Sequence, residues 1–283
     1  MAHVVFLGTG MLGSGMIEAM RRHGRAVTVW NRTIEKARAL SVHGVDVADT
    51  PEAAVAGASE VHLILSDDAA VDALLDRIAP HVPAGVVVVD HTTTSPAGTK
   101  VRLPRAAQRG LLMLHAPVFM SPAMARESQG VMMVSGPQAL YDRVQPSLAA
   151  MAADVWYLGE RPDLAAALKI FGNSMLFAIT AGVADVLAMA KNLGVDPVEA
   201  MSVFTRFNAG GAISGRGQKI ARGDFSASFE LTMARKDMRL MLEAAGAEPL
   251  VALPSIAKRM DEAIAAGHGK DDMGAIAAAS LKG

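Results

Sequence analysis

The chain has 283 residues, 51% of them hydrophobic and 19% charged, with a formal net charge of -1 and no cysteine. At roughly 100–200 residues per domain this is chain enough for two domains with real cores, and the composition excludes a disordered protein. Near-neutral charge without a basic half removes the electrostatic footprint of a nucleic-acid or anionic-membrane binder. The lack of cysteine removes disulfides, thiolate nucleophiles, zinc–thiolate sites and iron–sulfur clusters. A small-molecule partner and no metal are the expectations.

The first residues carry no basic stretch followed by a long apolar run, so no secretory signal is expected and a cytoplasmic location is. Compact apolar runs at residues 4–7, 26–30, 61–65, 86–90 and 112–115 alternate with helix-period segments such as 11–22 and 71–78. Residues 131–134 and 155–158 read as later strands. This alternation predicts an α/β fold, a Rossmann-type doubly wound parallel sheet. After Arg161 it stops, and 164–193, 197–207, 231–245 and 254–266 all read as helices. An all-α domain is therefore expected to follow, with the boundary near Arg161-Pro162: residues 1–161, then 162–283. The apolar stretch 170–184 is shorter than the about 20 residues needed to cross a bilayer and contains Asn173. It reads as a buried helix, with no membrane partner.

Directly after the first strand runs Gly8-Thr9-Gly10-Met11-Leu12-Gly13, a G-x-G-x-x-G that leads into a helix. The tight turn needs Gly8, close approach of a pyrophosphate needs Gly10, and helix–strand packing needs Gly13. Free N–H groups at the helix start supply positive potential. At the end of the second strand a site for NAD would carry a carboxylate toward the ribose hydroxyls, but the chain has Asn31-Arg32-Thr33. Nothing there repels a 2'-phosphate, Arg32 pairs with one, and Asn31 and Thr33 add neutral hydrogen bonds. The expected cofactor is NADP(H). Thr33 capping the helix that follows is the plainer alternative.

Ligands on such a sheet bind beyond the carboxyl ends of the strands, which singles out Leu65-Ser66, Asp90-His91-Thr92-Thr93-Thr94-Ser95-Pro96 and His115-Ala116-Pro117-Val118-Phe119-Met120-Ser121-Pro122. Leu65, Ser66 and Thr93 are assigned to the cofactor, and Thr92, Phe119, Met120 and Ser121 to the substrate. His91 and His115 receive no role. On the long helix Lys169 and Asn173 are four apart and share one face.

Taken together, these motifs resemble the β-hydroxyacid dehydrogenase family, which includes 3-hydroxyisobutyrate dehydrogenases and glyoxylate/succinic semialdehyde reductases. The resemblance covers nearly the whole length. Trp30-Asn31-Arg32-Thr33 is similar to the NADPH-using reductase branch, and Asp90 to Pro96 resembles the family's Asp-x-Ser-Thr-x-x-Pro. The resemblance implies that Lys169 is the catalytic lysine with Asn173 beside it, that Lys236 of Lys236-Asp237-Met238 lies near the cofactor, and that the protein is a homodimer or homotetramer. It also implies an NADPH-dependent reductase of a small aldehyde or keto acid, reversible as a hydroxyacid dehydrogenase, with Lys169 as general acid and base. Two departures stand out. The family's Ser-Gly-Gly turn, which holds a substrate carboxylate, is replaced by Phe119-Met120-Ser121, and a Gly-x-Gly before the lysine is replaced by Asp163 and Ala165. The alternatives are an imine reductase-like enzyme, against which the retained lysine argues, and a non-catalytic NADP-binding interaction protein.

Overall fold

The structure, a computed structural model, describes residues 3–281. Its first half runs β1 (His3–Leu7), α1 (Met11–Arg22), β2 (Ala26–Trp30), α2 (Ile34–Arg38), β3 (Asp46–Val47), α3 (Pro51–Val55), β4 (Glu60–Leu63), α4 (Asp68–Ile78), β5 (Val87–Asp90), α5 (Pro96–Gln108) and β6 (Leu112–His115). The six strands form one parallel sheet in the order β3-β2-β1-β4-β5-β6. A parallel sheet covered on both faces needs strands that are apolar on both sides, and Val4, Val5, Phe6 and Leu7 are all fully buried. One face packs Phe6 and Val89 against Met16, Ile17 and Met20 of α1. The other packs Leu7, Val61 and Val88 against Val71 and Leu75 of α4.

Next come β7 (Val118–Phe119), α6 (Pro122–Arg126), β8 (Val131–Val134), α7 (Gln138–Ala149) and β9 (Asp154–Tyr157). The late strands expected at 131–134 and 155–158 are present, but with β7 they make a separate three-stranded sheet in which β7 runs antiparallel to β8. The chain turns away from the parallel sheet at Ala116-Pro117, where proline has no N–H to donate to a ladder. β3 and β7 have two residues each, too few to register as a periodic run.

Helix starts follow a repeated local device. Thr50-Pro51, Ser95-Pro96, Ser121-Pro122 and Asp196-Pro197 each place a capping oxygen before a proline whose missing N–H costs nothing there. The cap on α5 has further support. Asp68 accepts from the Ser95 N–H at 2.8 Å and from the buried Arg102 at 2.6 Å, so α4 holds the loop after β5 in place.

The thirty-residue α8 (Leu164–Leu193) precedes α9 (Pro197–Ser202), α10 (Gly211–Ser214), α11 (Arg216–Ala221), α12 (Leu231–Ala245) and α13 (Leu253–Ala263). The chain divides inside α8 into two compact units, Met1–Asn173 and Ser174–Gly283. The first turns of α8, with Ala165 and Ala166 buried, belong to the first of these units. In the second unit Leu231, Ala234, Met238, Ala257 and Met260 make an all-helical core. Asp185 of α8 is buried there and accepts backbone N–H bonds from Ala252 at 2.9 Å and Leu253 at 2.8 Å, besides one from Val251. Burial opposes its charge, and these three donors overcome that and lower its pKa.

The stretch 170–184 is not the buried helix that the sequence suggests. Phe171, Leu176, Phe177 and Ile179 are exposed, Phe177 to 75%. By length and composition α8 is also apolar enough to cross a bilayer, with a mean hydropathy of 1.6 in its most apolar window. Lys169 and Asp185, however, both make side-chain contacts within folded protein. The exposed side chains form an apolar face on α8.

Candidate active site

The strand order reverses between β1 and β4, and a cavity of about 680 Å³ lies beyond their carboxyl ends, where open α/β sheets bind ligands. Its walls are the loops after β1, β2, β4 and β5. Gly8 has φ +116°, and a Cβ there would lie 2.0 Å from the Ile64 carbonyl oxygen. A Cβ on Gly13 would lie 2.3 Å from the Gly8 carbonyl oxygen, so α1 crosses the end of β1 with no room for a side chain. At Gly10 nothing lies within 4 Å of a built Cβ, which leaves its surface open to the cavity. No side chain caps α1, so its first N–H groups remain for a ligand. Thr9 Oγ1 is buried without a hydrogen-bond partner among the described residues. These features fit the pyrophosphate of a dinucleotide.

The predicted cofactor residues Gly8, Gly10, Met11, Leu12, Asn31, Arg32, Thr33, Leu65, Ser66 and Thr93 all line this cavity, as does Thr92. Thr9 and Gly13 lie behind it. Asn31 works within the protein at both ends: its Oδ1 accepts from the Thr9 N–H at 3.1 Å and its Nδ2 donates to the Thr33 carbonyl at 2.9 Å. It staples the glycine loop to the turn after β2. Thr33 makes no side-chain cap, so its hydroxyl is left to the cavity rather than to α2. Thr92 Oγ1 accepts from the Leu65 N–H at 3.0 Å, which ties the loop after β5 to the loop after β4. Lys36, Arg77 and Trp30 also line the cavity and were not expected. The spacing of Lys36, four residues after Arg32 at the start of a helix, was the available signal. Arg77 lies 5.8 Å from the Trp30 ring centroid and pairs with Glu52 at 2.9 Å, contacts between distant residues that no local motif announces.

A buried row of histidines runs inward from His91, which lines the cavity. His91 Nδ1 donates to the Ala116 carbonyl at 2.8 Å, which leaves its Nε2 to accept from His62 Nδ1 at 2.9 Å. His62 stacks on Phe6 at 4.7 Å, and its Nε2 lies 2.9 Å from Glu60 Oε1. Burial first, and the neighbouring His62 second, push the His91 pKa down to about 3. His91 is thus a neutral strut that fixes the tautomer order of the row. His115 is fully buried, 3.6 Å from the Asp90 carboxylate.

Lys169 stands on α8, half-buried, with Nζ 4.1 Å from the centroid of the Phe119 ring. Burial lowers its pKa, and among the described residues no carboxylate pairs with it to oppose that. Asn173 is half-buried one turn on. The helix entry that lacks Gly-x-Gly is fixed by an ion pair instead. Arg161 donates twice to Asp163 at 2.9 Å and holds that carboxyl down to about 2. Met120 packs on the core, and Ser121 Oγ accepts from the Met124 N–H as the cap of α6. Lys236, on α12 in the second unit, pairs with Asp237 at 2.8 Å. No group of three or more His, Asp or Glu among the described residues could hold a metal ion.

The family described as the NAD binding domain of 6-phosphogluconate dehydrogenase matches residues 3–159, and the one described as NAD-binding of NADP-dependent 3-hydroxyisobutyrate dehydrogenase matches residues 164–280. The chain belongs to the β-hydroxyacid dehydrogenase family. It is an NAD(P)-dependent oxidoreductase. Among its relatives, glyoxylate/succinic semialdehyde reductase 2 of Arabidopsis thaliana is 29% identical over 84% of this chain and 67% of its own length. The 2-(hydroxymethyl)glutarate dehydrogenase of Eubacterium barkeri is 25% identical over 96% of this chain and 92% of its own. The solved imine reductase from Myxococcus stipitatus in complex with NADP+ superposes with a TM-score of 0.91 at 22% identity, over 98% of this chain and 99% of that one. That likeness shows the Rossmann-type fold of this chain.

The buried His91 ties stability to pH. Its folded pKa of about 3 lies below the ordinary 6.5, so between these values the unfolded chain binds the extra proton and stability falls as pH falls. Denaturant titrations from pH 7 to pH 4 are expected to show a loss approaching about 1.4 kcal/mol per pH unit from this group, a loss that His91→Gln removes. An unchanged slope in that variant contradicts the assignment.

Proposed function

We propose that the protein is an NADPH-dependent reductase of a small carbonyl compound, reversible as a hydroxyacid-type dehydrogenase, with Lys169 as the proton donor. The observation that carries the reading is Lys169 itself, the one charged side chain in residues 164–173, partly withdrawn from water and without a carboxylate partner. Reducing a carbonyl builds negative charge on oxygen, which an ammonium stabilises and then protonates. A lysine whose pKa is lowered toward neutrality gives up its proton more readily. Bound in the cavity, the nicotinamide nucleotide would supply the hydride. The N–H groups at the start of α1 would hold its pyrophosphate, and Arg32, with no acidic residue between it and β2, would hold a 2'-phosphate together with Lys36. Asn173 orients the lysine or the substrate. Imine reduction is the second reading, favoured by the aromatic cover that Phe119 lays over the site and opposed by the lysine.

The exposed apolar face of α8 supports a further part of the reading, that a second copy of this chain covers it. Light scattering is expected to return a multiple of 29.5 kDa, lowered by Phe177→Asp; a wild-type species of one chain contradicts it.

Two substitutions test the chemistry. Arg32→Asp is expected to weaken NADPH binding roughly 30- to 100-fold while changing NADH binding little, and equal affinities of the wild type for the two cofactors would remove the NADP assignment. Lys169→Met is expected to lower kcat by roughly 100- to 10,000-fold, with the NADPH Kd within about threefold of wild type. Full turnover in that variant would sink the role given to the lysine.

A further inference from the structure

We infer that the buried row Glu60–His62–His91 is a proton-binding site, holding at neutral pH one proton more than its two neutral imidazoles supply, lodged between the Glu60 carboxyl and His62. The inference does not depend on the reductase reading. It stands on the donors available along the row. Three contacts run in series: Glu60 Oε1 to His62 Nε2 at 2.9 Å, His62 Nδ1 to His91 Nε2 at 2.9 Å, and His91 Nδ1 to the Ala116 carbonyl at 2.8 Å. Both ends of the series are acceptors, a carboxylate and a backbone carbonyl. A neutral imidazole has one N–H, so two protons would have to serve three contacts. Whichever tautomers are chosen, one contact then sets acceptor against acceptor.

Each place for that gap is unfavourable. At the Ala116 end it would set two lone pairs 2.8 Å apart, and in the middle it would do the same between two rings only 11° from coplanar. At the Glu60 end it would set a ring nitrogen against a carboxylate, and neither Glu60 Oε1 nor His62 Nε2 has a hydrogen-bond partner elsewhere among the described residues. His62 is fully buried and Glu60 is 7% exposed, so the loss is not made up by bulk water. One further proton gives three donors for three contacts. It resides on His62, as an imidazolium beside a carboxylate, or on Glu60, as a neutral carboxyl that donates to His62. The count is the same.

The surroundings call for a proton because they offer Glu60 no other cation. Strand register sets Glu60 beside Val4 and Val87, and His62 beside Phe6 and Val89. The core on this face is completed by Met16, Ile17 and Met20 of α1, Leu114 of β6, Met132 of β8 and Leu148 of α7. Among the described residues no lysine or arginine pairs with Glu60, and the titratable groups that act on the row from outside it are Asp90 and His115, both through His91. A carboxylate left unpaired in such a core is costly. Losing the proton either leaves it so or reverses the tautomers, and the Ala116 carbonyl, at the start of the turn that leads through Pro117 to Phe119, then loses its donor.

Above about pH 7 the unfolded chain holds no such proton, because free glutamate and histidine side chains have released theirs. The folded chain then binds one proton more than the unfolded, so stability falls as pH rises. The test compares denaturant titrations of the wild type and Glu60→Gln at pH 7 and pH 8.5. The glutamine amide donates to His62 Nε2 with a hydrogen that does not titrate. Between the two pH values the wild-type folding constant is expected to fall at least about fivefold more than that of the variant. Equal falls overturn the inference. Ring 15N NMR of the wild type at neutral pH, with the Glu60 carboxyl read by 13C, decides even where the variant does not fold. Protons are expected on His91 Nδ1, on His62 Nδ1, and on either His62 Nε2 or Glu60; the absence of any one of the three overturns it.

Discussion

The contact on which the site depends is the one between the end of β1 and the start of α1. The Gly8 carbonyl oxygen lies 2.3 Å from where a Cβ on Gly13 would be, and the Ile64 carbonyl oxygen 2.0 Å from where a Cβ on Gly8 would be. Two backbones and a third strand's end meet there without side chains between them. Any larger residue would push α1 away from the sheet and move its N–H groups out of the cavity. From this junction follow the placement of Gly10 on open space, the position of the turn after β2, which Asn31 ties to Thr9, and the cavity at the strand reversal.

Around that junction, charge is placed sparingly. The chain as a whole is nearly neutral, and positive groups stand at a few places: the N–H groups at the start of α1, Arg32, Lys36 and Arg77 on the cavity wall, and Lys169 on α8. Each faces a different demand. Arg32 and Lys36 line the cavity beside the end of β2. Lys169 is half-buried, and that burial lowers its pKa. His91 remains neutral for the same physical reason, burial, carried much further.

What was legible in the sequence was whatever a local pattern encodes. Residues 26–30, 112–115, 11–22, 164–193 and 231–245 form the strands and helices expected at those bounds, because apolar periodicity and turn residues act over a few neighbours. The glycine loop was legible because each glycine has a steric reason. The double role of Asn31 was not, since it depends on how close the first two loops come in space. The cavity face of Arg77 and the row Glu60–His62–His91 were hidden likewise, because strand register brings those residues together. The exposure of residues 170–184 misled the reading for a different reason: an apolar run states that something covers it and does not say which chain.

Hydrogen exchange with and without NADPH tests the central claim most directly, since it reads the backbone of the cavity in the unmodified protein. The account expects slowed exchange on NADPH addition in residues 8–14, 31–36, 64–67 and 91–94, the four loops that close around the strand reversal, and a smaller effect from NADH in 31–36. No protection in residues 8–14, or protection confined to the second unit, would contradict it.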